Sequence, residues 1–406
     1  MKAFTAVTLR AAAVGLTVTV LAGCTAVAPE PTPTPRDDLS MTIGALVPDT
    51  GVLAGFAPGM RAAVQLAVDD VNSSGGPLTL EVQYADSGDN STDTGLTSFA
   101  SLLELEINGL VGPLGNGVGK KIIQTVVDAE IPMISPANNA TDFTTFADDD
   151  FYWRTAPACT LEGDVLAQQV ADSGATTAGV LSQTETCGQA LTDAVTLGLE
   201  RRGVEVAASA SLDAGGTIDA AVAAFAEAKP DAVVVVTSQA KATIAPLNAA
   251  GFLGEQMFFL GLPPGDYTAD FAAGVLKDAV ATLPGPDLPS LSDFTDRLRE
   301  LDDGLVEFSY TPETYDAVIL LALAAVEANS VKGPAIAGAL REVSGGTGKG
   351  EPCTSFEDCV DIILAGGTPD YEGVSGSIAF DDHGDPSGAV IGVFRADRDN
   401  VFERID

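Results

Sequence analysis

Two short segments hold the residues best suited to grip a small polar molecule. They are Gly112-Pro113-Leu114-Gly115-Asn116-Gly117 and Ser135-Pro136-Ala137-Asn138-Asn139. Each follows an apolar run and mixes small, hydroxyl and amide residues. An amide side chain donates and accepts at once, so Asn116 and Asn139 suit both a carboxylate and an ammonium. Glycine at a helix entry leaves backbone N–H groups facing outward, where they favour an anion. The plainer readings are a turn at Asn138-Asn139 and helix-entry geometry at Gly115 and Gly117. Catalysis has little to build with. His383 is the one histidine and sits in the turn-like Asp382-His383-Gly384-Asp385, and neither a Gly-x-Ser-x-Gly elbow nor a P-loop occurs. No enzyme activity, cofactor or metal site is expected.

The elements that must position these segments follow from periodicity. Residues 41–47 read as a buried strand, and Met60, Ala63, Val64, Ala67, Val68 and Val71 form one apolar stripe of a helix that stops at Ser73-Ser74-Gly75-Gly76-Pro77. Strands at 78–84, 107–111 and 131–134 then alternate with helices at 92–106 and 117–129. The rhythm continues with strands at 176–181, 204–210, 232–236 and 256–260 between helices from Thr160 and at 188–202, 217–228 and 240–250. Thr311-Pro312 starts another helix, running to about Ala328. Such alternation predicts an α/β protein with parallel sheets covered on both faces, and its length predicts two doubly wound lobes. Ligands of such folds lie beyond the carboxyl ends of strands. The segments 112–117 and 135–139 stand there, as do Ser182-Gln183, Thr237-Ser238-Gln239 and the loop from Gly261.

Composition and charge narrow the class. Of 406 residues, 46% are hydrophobic and 19% charged, which excludes wholesale disorder. Acidic residues outnumber basic ones 57 to 20, and the formal charge of −37 excludes general nucleic-acid binding. Lys2 and Arg10 precede an apolar run from Ala11 to Ala22, too short to span a bilayer and suited to an export leader. It ends in Leu21-Ala22-Gly23-Cys24. Residues 1–23 therefore read as a leader and 24–39 as a linker. Pro29, Pro31, Pro33 and Pro35 favour an extended stalk, reaching roughly 37 Å over its proline-rich part. The remaining cysteines number four, an even set in an exported chain. Cys353 and Cys359 flank a short polar loop and are expected to pair, leaving Cys159 for Cys187.

The leader's end resembles the lipobox of bacterial lipoproteins, which implies that Cys24 carries lipid on the outer face of the cell membrane. A second resemblance spans most of residues 41–395. It is carried by Gly44-Ala45-Leu46-Val47-Pro48-Asp49-Thr50-Gly51, Ala67-Val68-Asp69-Asp70-Val71-Asn72, Gly109-Leu110-Val111-Gly112-Pro113, Ile131-Pro132-Met133-Ile134-Ser135-Pro136-Ala137, Tyr315-Asp316-Ala317 and Phe380-Asp381 with Gly384-Asp385. In this order they resemble branched-chain amino-acid ABC-transporter binding proteins, of type I periplasmic binding fold. The resemblance implies two lobes joined by a three-crossover hinge near residues 155, 283 and 390. Lobe 1 would comprise 40–155 plus 283–390, and lobe 2 would comprise 156–282 plus 391–406. It implies a monomer that delivers a small molecule, an amino acid by preference, to permease subunits; sensing without transport, and an exported hydrolase, are the rival readings. Leu114, Gly115, Asn116, Gly117, Ala137, Asn138 and Asn139 would hold the ligand from lobe 1, with Phe56 closing over it. Lobe 2 departs from the pattern: Cys187-Gly188 replaces the usual Tyr-Gly, and 261–264 lacks the usual acid. Asp266 or Glu185 would then substitute, with Ser238 nearby, and an amide or a small acid stays open as ligand.

Overall fold

A computed structural model describes residues 37–406 apart from 184–186, 188, 214, 215, 238 and 263. The leader, Cys24, the stalk, Glu185 and Ser238 lie outside the described residues.

The first sheet is built by β1 (Leu39–Val47), α1 (Ala57–Ser73), β2 (Leu78–Asp86), α2 (Thr94–Glu104), β3 (Gly109–Val111), α3 (Asn116–Asp128), β4 (Met133–Ser135) and β5 (Tyr152–Arg154). Its strands run parallel in the order β2-β1-β3-β4-β5. Helices cover both faces, which is why β3, β4 and β5 are buried throughout and show no alternation. The apolar stripe of α1 is buried in full, and Gly75 (φ 71°) lies just beyond its end. Strand β5, three residues long, carries no period that would reveal it in the sequence.

The chain then enters a second sheet through α4 (Cys159–Asp172). There follow β6 (Thr177–Ser182), α5 (Gln189–Arg201), β7 (Glu205–Ser211), α6 (Ile218–Ala228), β8 (Ala232–Val236), α7 (Ala240–Ala249), β9 (Met257–Leu260) and β10 (Val280–Pro284). It returns to the first lobe as α8 (Ser292–Leu301), α9 (Thr311–Glu327) and α10 (Gly333–Val343). A small sheet of β11 (Glu351–Cys353), β12 (Pro369–Gly373) and β13 (Gly376–Ser377) follows, with α11 (Phe356–Leu364) inserted. Last, β14 (Ile391–Ala396) and β15 (Phe402–Arg404) rejoin the second sheet, whose order is β15-β14-β10-β9-β8-β6-β7. Both late strands run antiparallel to their neighbours.

Helix α9 anchors the first lobe. Every residue from Thr311 to Val326 is buried, and its apolar side chains join those of α1, α10 and α11 in one core. Asp316 is one of its buried polar residues: its carboxylate accepts from Tyr371 Oη, Val374 N, Ser375 N and Ser375 Oγ, at 2.5–2.9 Å, so the helix holds β12 and the turn to β13. The second sheet has its own two cores, one under α6 and α7 and one under α4 and α5. Both expected disulfides form, Cys159–Cys187 and Cys353–Cys359. Cys359 lies within α11, so the second bridge ties a strand to a helix rather than closing a polar loop.

Candidate functional site

The carboxyl ends of β1, β3 and β4 converge on one patch. Leu114 and Ala137 are buried there with Val47 and Met60, and Leu53, Phe56, Tyr84 and Tyr310 pack against them. Phe56 ends a single helical turn before α1 and meets the Tyr310 ring edge-on, centroids 5.7 Å apart. Tyr310 holds a left-handed backbone (φ 63°) just before α9, an uncommon conformation for an aromatic residue. Sequence reasoning missed it because only the folded chain sets 310 beside 56.

Beside this apolar patch the two loops are clasped together. Asn116 Nδ2 donates to Asn139 Oδ1 at 2.8 Å, while Asn116 Oδ1 accepts from the backbone N–H groups of Asn139 and Ala140 at 3.0 and 3.3 Å. The two Asn139 Nδ2 hydrogens have no partner among the described residues, so they are free to meet an incoming oxygen. Gly112 sits at φ 102°, before a cis bond to Pro113, and a Cβ there would run into the Leu46 carbonyl oxygen. Glycine is thus required for β1 and the β3 loop to lie so close.

Three expected contacts are replaced. The Gly117 N–H, expected to face an anion, donates to Asn90 Oδ1 at 2.8 Å, and a Cβ on Gly117 would reach that oxygen at 2.7 Å. The glycines at 115 and 117 therefore make room for Asn90, a residue that nothing in its local sequence marked. Asn138 is fully buried. Its N–H donates to Ser135 Oγ at 3.0 Å and its Nδ2 to Leu114 O at 3.1 Å, so it stitches the two loops from within. Asp266 is exposed, accepts from Thr268 N and bridges Val401 beyond the amino end of β10. It stands at the opposite end of the second sheet from Ser182, Val236 and Leu260, because residues 261–279 carry the chain back along the lobe.

From the second lobe, Gln183 and Thr237 are buried at the ends of β6 and β8, hydrogen-bonded to each other, and Gln239 Nε2 reaches Gln183 Oε1 at 3.4 Å. Cys187, in the bridge to Cys159, brings its sulfur into contact at 3.5 Å with the Asn139 carbonyl, and that carbonyl accepts a hydrogen bond from Cys159 N at 2.9 Å. The second lobe thus reaches the Asn139 turn directly.

Acids near the patch are committed elsewhere. Asp49 pairs with Arg61, Asp86 accepts from Thr50 and Gly88, and Asp89 accepts from Val52 and Ser91. Those bonds hold the Asp86 and Asp89 carboxyls below their ordinary range, Asp86 against some burial. Two other carboxyls are buried near the hinge. Glu162, bonded to Thr282 Oγ1 at 3.0 Å, and Glu313 are each pushed by burial up to about 8. Both raise the Tyr310 hydroxyl further above its ordinary range, behind the larger effect of burial. Among the described residues no cluster of His, Cys, Asp and Glu fits a metal ion.

Comparison with known proteins agrees with this fold. A family model described as periplasmic binding protein matches residues 40–357. The chain is 30% identical over 368 residues to the chemotactic signal transduction system substrate-binding protein BasB of Halobacterium salinarum, covering 83% of each. In fold it is similar to a putative branched-chain amino acid ABC transporter protein of Rhodospirillum rubrum, with a TM-score of 0.68 and 18% identity over 90% of this chain and 100% of that one. It is likewise similar to an ABC transporter substrate-binding protein of Desulfitobacterium hafniense in complex with Leu, with a TM-score of 0.65 and 19% identity over the same shares. A largely parallel two-lobed α/β fold, matched to the family over most of its length, is a solute-binding protein rather than an enzyme: the chain belongs to the periplasmic binding protein family, in its type I fold.

Proposed function

We propose that this protein captures an amino acid of aliphatic or small polar kind between lobe 1 (40–155 plus 283–390) and lobe 2 (156–282 plus 391–406), and hands it to an ABC importer. The observation that carries the reading is the Asn116–Asn139 clasp, whose free amide hydrogens stand beside the apolar patch of Phe56, Leu114 and Ala137. A ligand carboxylate would meet Asn139 Nδ2, and its apolar side chain would lie against Phe56. Gln183 and Gln239, with the adjacent Ser238, and the Cys187 bridge would close from the other side. A cleaved leader and a lipid on Cys24 would hold the protein outside the cell, with the proline stalk as tether. A second reading is favoured by the similarity to BasB: the same capture would feed a sensory partner instead of a permease.

The test is a thermal-shift screen of amino acids, amides and small organic acids on the purified protein, followed by calorimetry of the hits. L-leucine or a close analogue is expected to bind. A clear hit only among non-amino acids would keep the capture mechanism and discard the substrate class. Pull-down on permease subunits against chemoreceptor domains, with the hit present, separates the two destinations.

A further inference from the structure

Arg154 ends β5, immediately before the chain leaves for the second lobe. Its side chain is fully buried, and all three of its side-chain nitrogens donate hydrogen bonds. Nε and Nη2 donate to the two Asp385 carboxylate oxygens at 2.6 and 2.7 Å, and Nη2 donates also to Thr144 Oγ1 at 2.7 Å. Nη1 donates to the carbonyls of Asn138 and Ala140 at 3.2 and 2.8 Å. Those carbonyls belong to the two residues flanking Asn139. Thr144 Oγ1 in turn donates to Asp385 Oδ2 at 2.7 Å, and Arg154 N donates to Gly384 O at 3.1 Å.

A buried ion pair says little about stability, because desolvation offsets most of its attraction. What this one fixes is more informative. The planar fork binds a carboxylate with one edge and two carbonyls with another, which an ammonium on a flexible stem cannot reproduce. Asp385 lies on the turn that leads to β14, so the fork joins the first and third passages of the chain between lobes. On its other side the Asn139 turn touches α4 through Cys159 N. We infer that Arg154 is a positioning residue for ligand capture: it sets the turn that aims Asn139 Nδ2 and couples that turn to the hinge. This rests on the proposed Asn139 site.

The experiment follows two readouts in wild type, Arg154→Lys, Asp385→Asn and Thr144→Val, all well below their melting temperatures. One is calorimetry with L-leucine. The other is the NMR position of the Asn139 backbone amide and the Asn116 side-chain amide. Arg154→Lys is expected to bind at least tenfold more weakly with both resonances displaced; Thr144→Val and Asp385→Asn should shift both in the same sense by less. A purely structural role would lower the melting temperature and leave folded-state affinity and both resonances unchanged, which overturns the inference. If Arg154→Lys does not fold, the same criterion applies to the other two variants. Should wild type not bind L-leucine, the substrate reading fails while the amide resonances still decide the role of Arg154.

Discussion

The Asn116–Asn139 clasp uses one amide to fix the other. Asn116 spends its oxygen on two backbone N–H groups and a hydrogen on Asn139, which leaves Asn139 Nδ2 oriented and unspent. An oriented donor binds better than a mobile one because its ordering entropy is already lost. Losing one buried hydrogen-bond partner costs about 1–3 kcal/mol, so Asn139→Ala is expected to weaken L-leucine binding roughly 5- to 150-fold. Calorimetry checks this; an affinity indifferent to the substitution would place the ligand elsewhere. Asn90 acts in the same way on the neighbouring backbone. Its side-chain oxygen already takes the Gly117 N–H, so that donor is spent from within, and the proposed capture rests on the side-chain amides instead.

At the scale of elements, the start of α4 and the start of α9 each bury a carboxyl near the hinge. Glu162 and Glu313 are pushed by burial from an ordinary 4.5 to about 8, against the bond from Thr282 in the first case. Between those values the folded protein holds protons that the unfolded chain has released. Their contribution to stability is therefore fully present below about pH 4.5 and is lost as pH rises to about 8. Thermal melts from pH 5 to 9 should show this decline, and Glu162→Gln and Glu313→Gln should each remove part of it. Curves parallel to wild type would disprove the burial argument. The two disulfides differ in what they constrain. Cys159–Cys187 spans 28 residues and Cys353–Cys359 spans 6, so chain-entropy loss assigns roughly 3–4 kcal/mol to the first and roughly 2 kcal/mol to the second. Denaturant titrations of the paired Cys→Ser variants should rank them in that order; the reverse order would mean that native-state contacts outweigh loop closure.

For the whole molecule, the chain passes between the two large sheets three times, after β5, after β10 and before β14, and the proposed capture would take part of its site from each lobe. Closure would remove the ligand from water and complete its polar contacts, so L-leucine is expected to compact the protein in small-angle scattering. An unchanged radius of gyration with saturating ligand would argue against lobe closure. The proposed anchor is tested at the same scale: Cys24→Ser should move the protein from the membrane to the soluble fraction, and persistent membrane association would refute lipidation there. No described helix is long and apolar enough to cross a membrane.

The sequence by itself determined the alternation of strands and helices, because burial on both faces of a parallel sheet imposes long apolar runs and helical stripes that a single chain displays directly. The run Ala232–Val236 needs no partner to be read as a strand, and it is one, buried along its whole length. Local residue types also determined the two glycine- and amide-bearing loops and the even set of cysteines. They left unread the short β5, the helices and small sheet between 329 and 377, and the residues that meet only through tertiary contact. Tyr310 reaches Phe56, Asn90 reaches Gly117, and Asp385 reaches Arg154 across 231 positions. Those pairings have no local signature, since an asparagine cap or a buried guanidinium is defined by its distant partner. The same cause misplaced Asp266: spacing put it just after a strand, but the following residues turn back along the lobe and leave it at the far end.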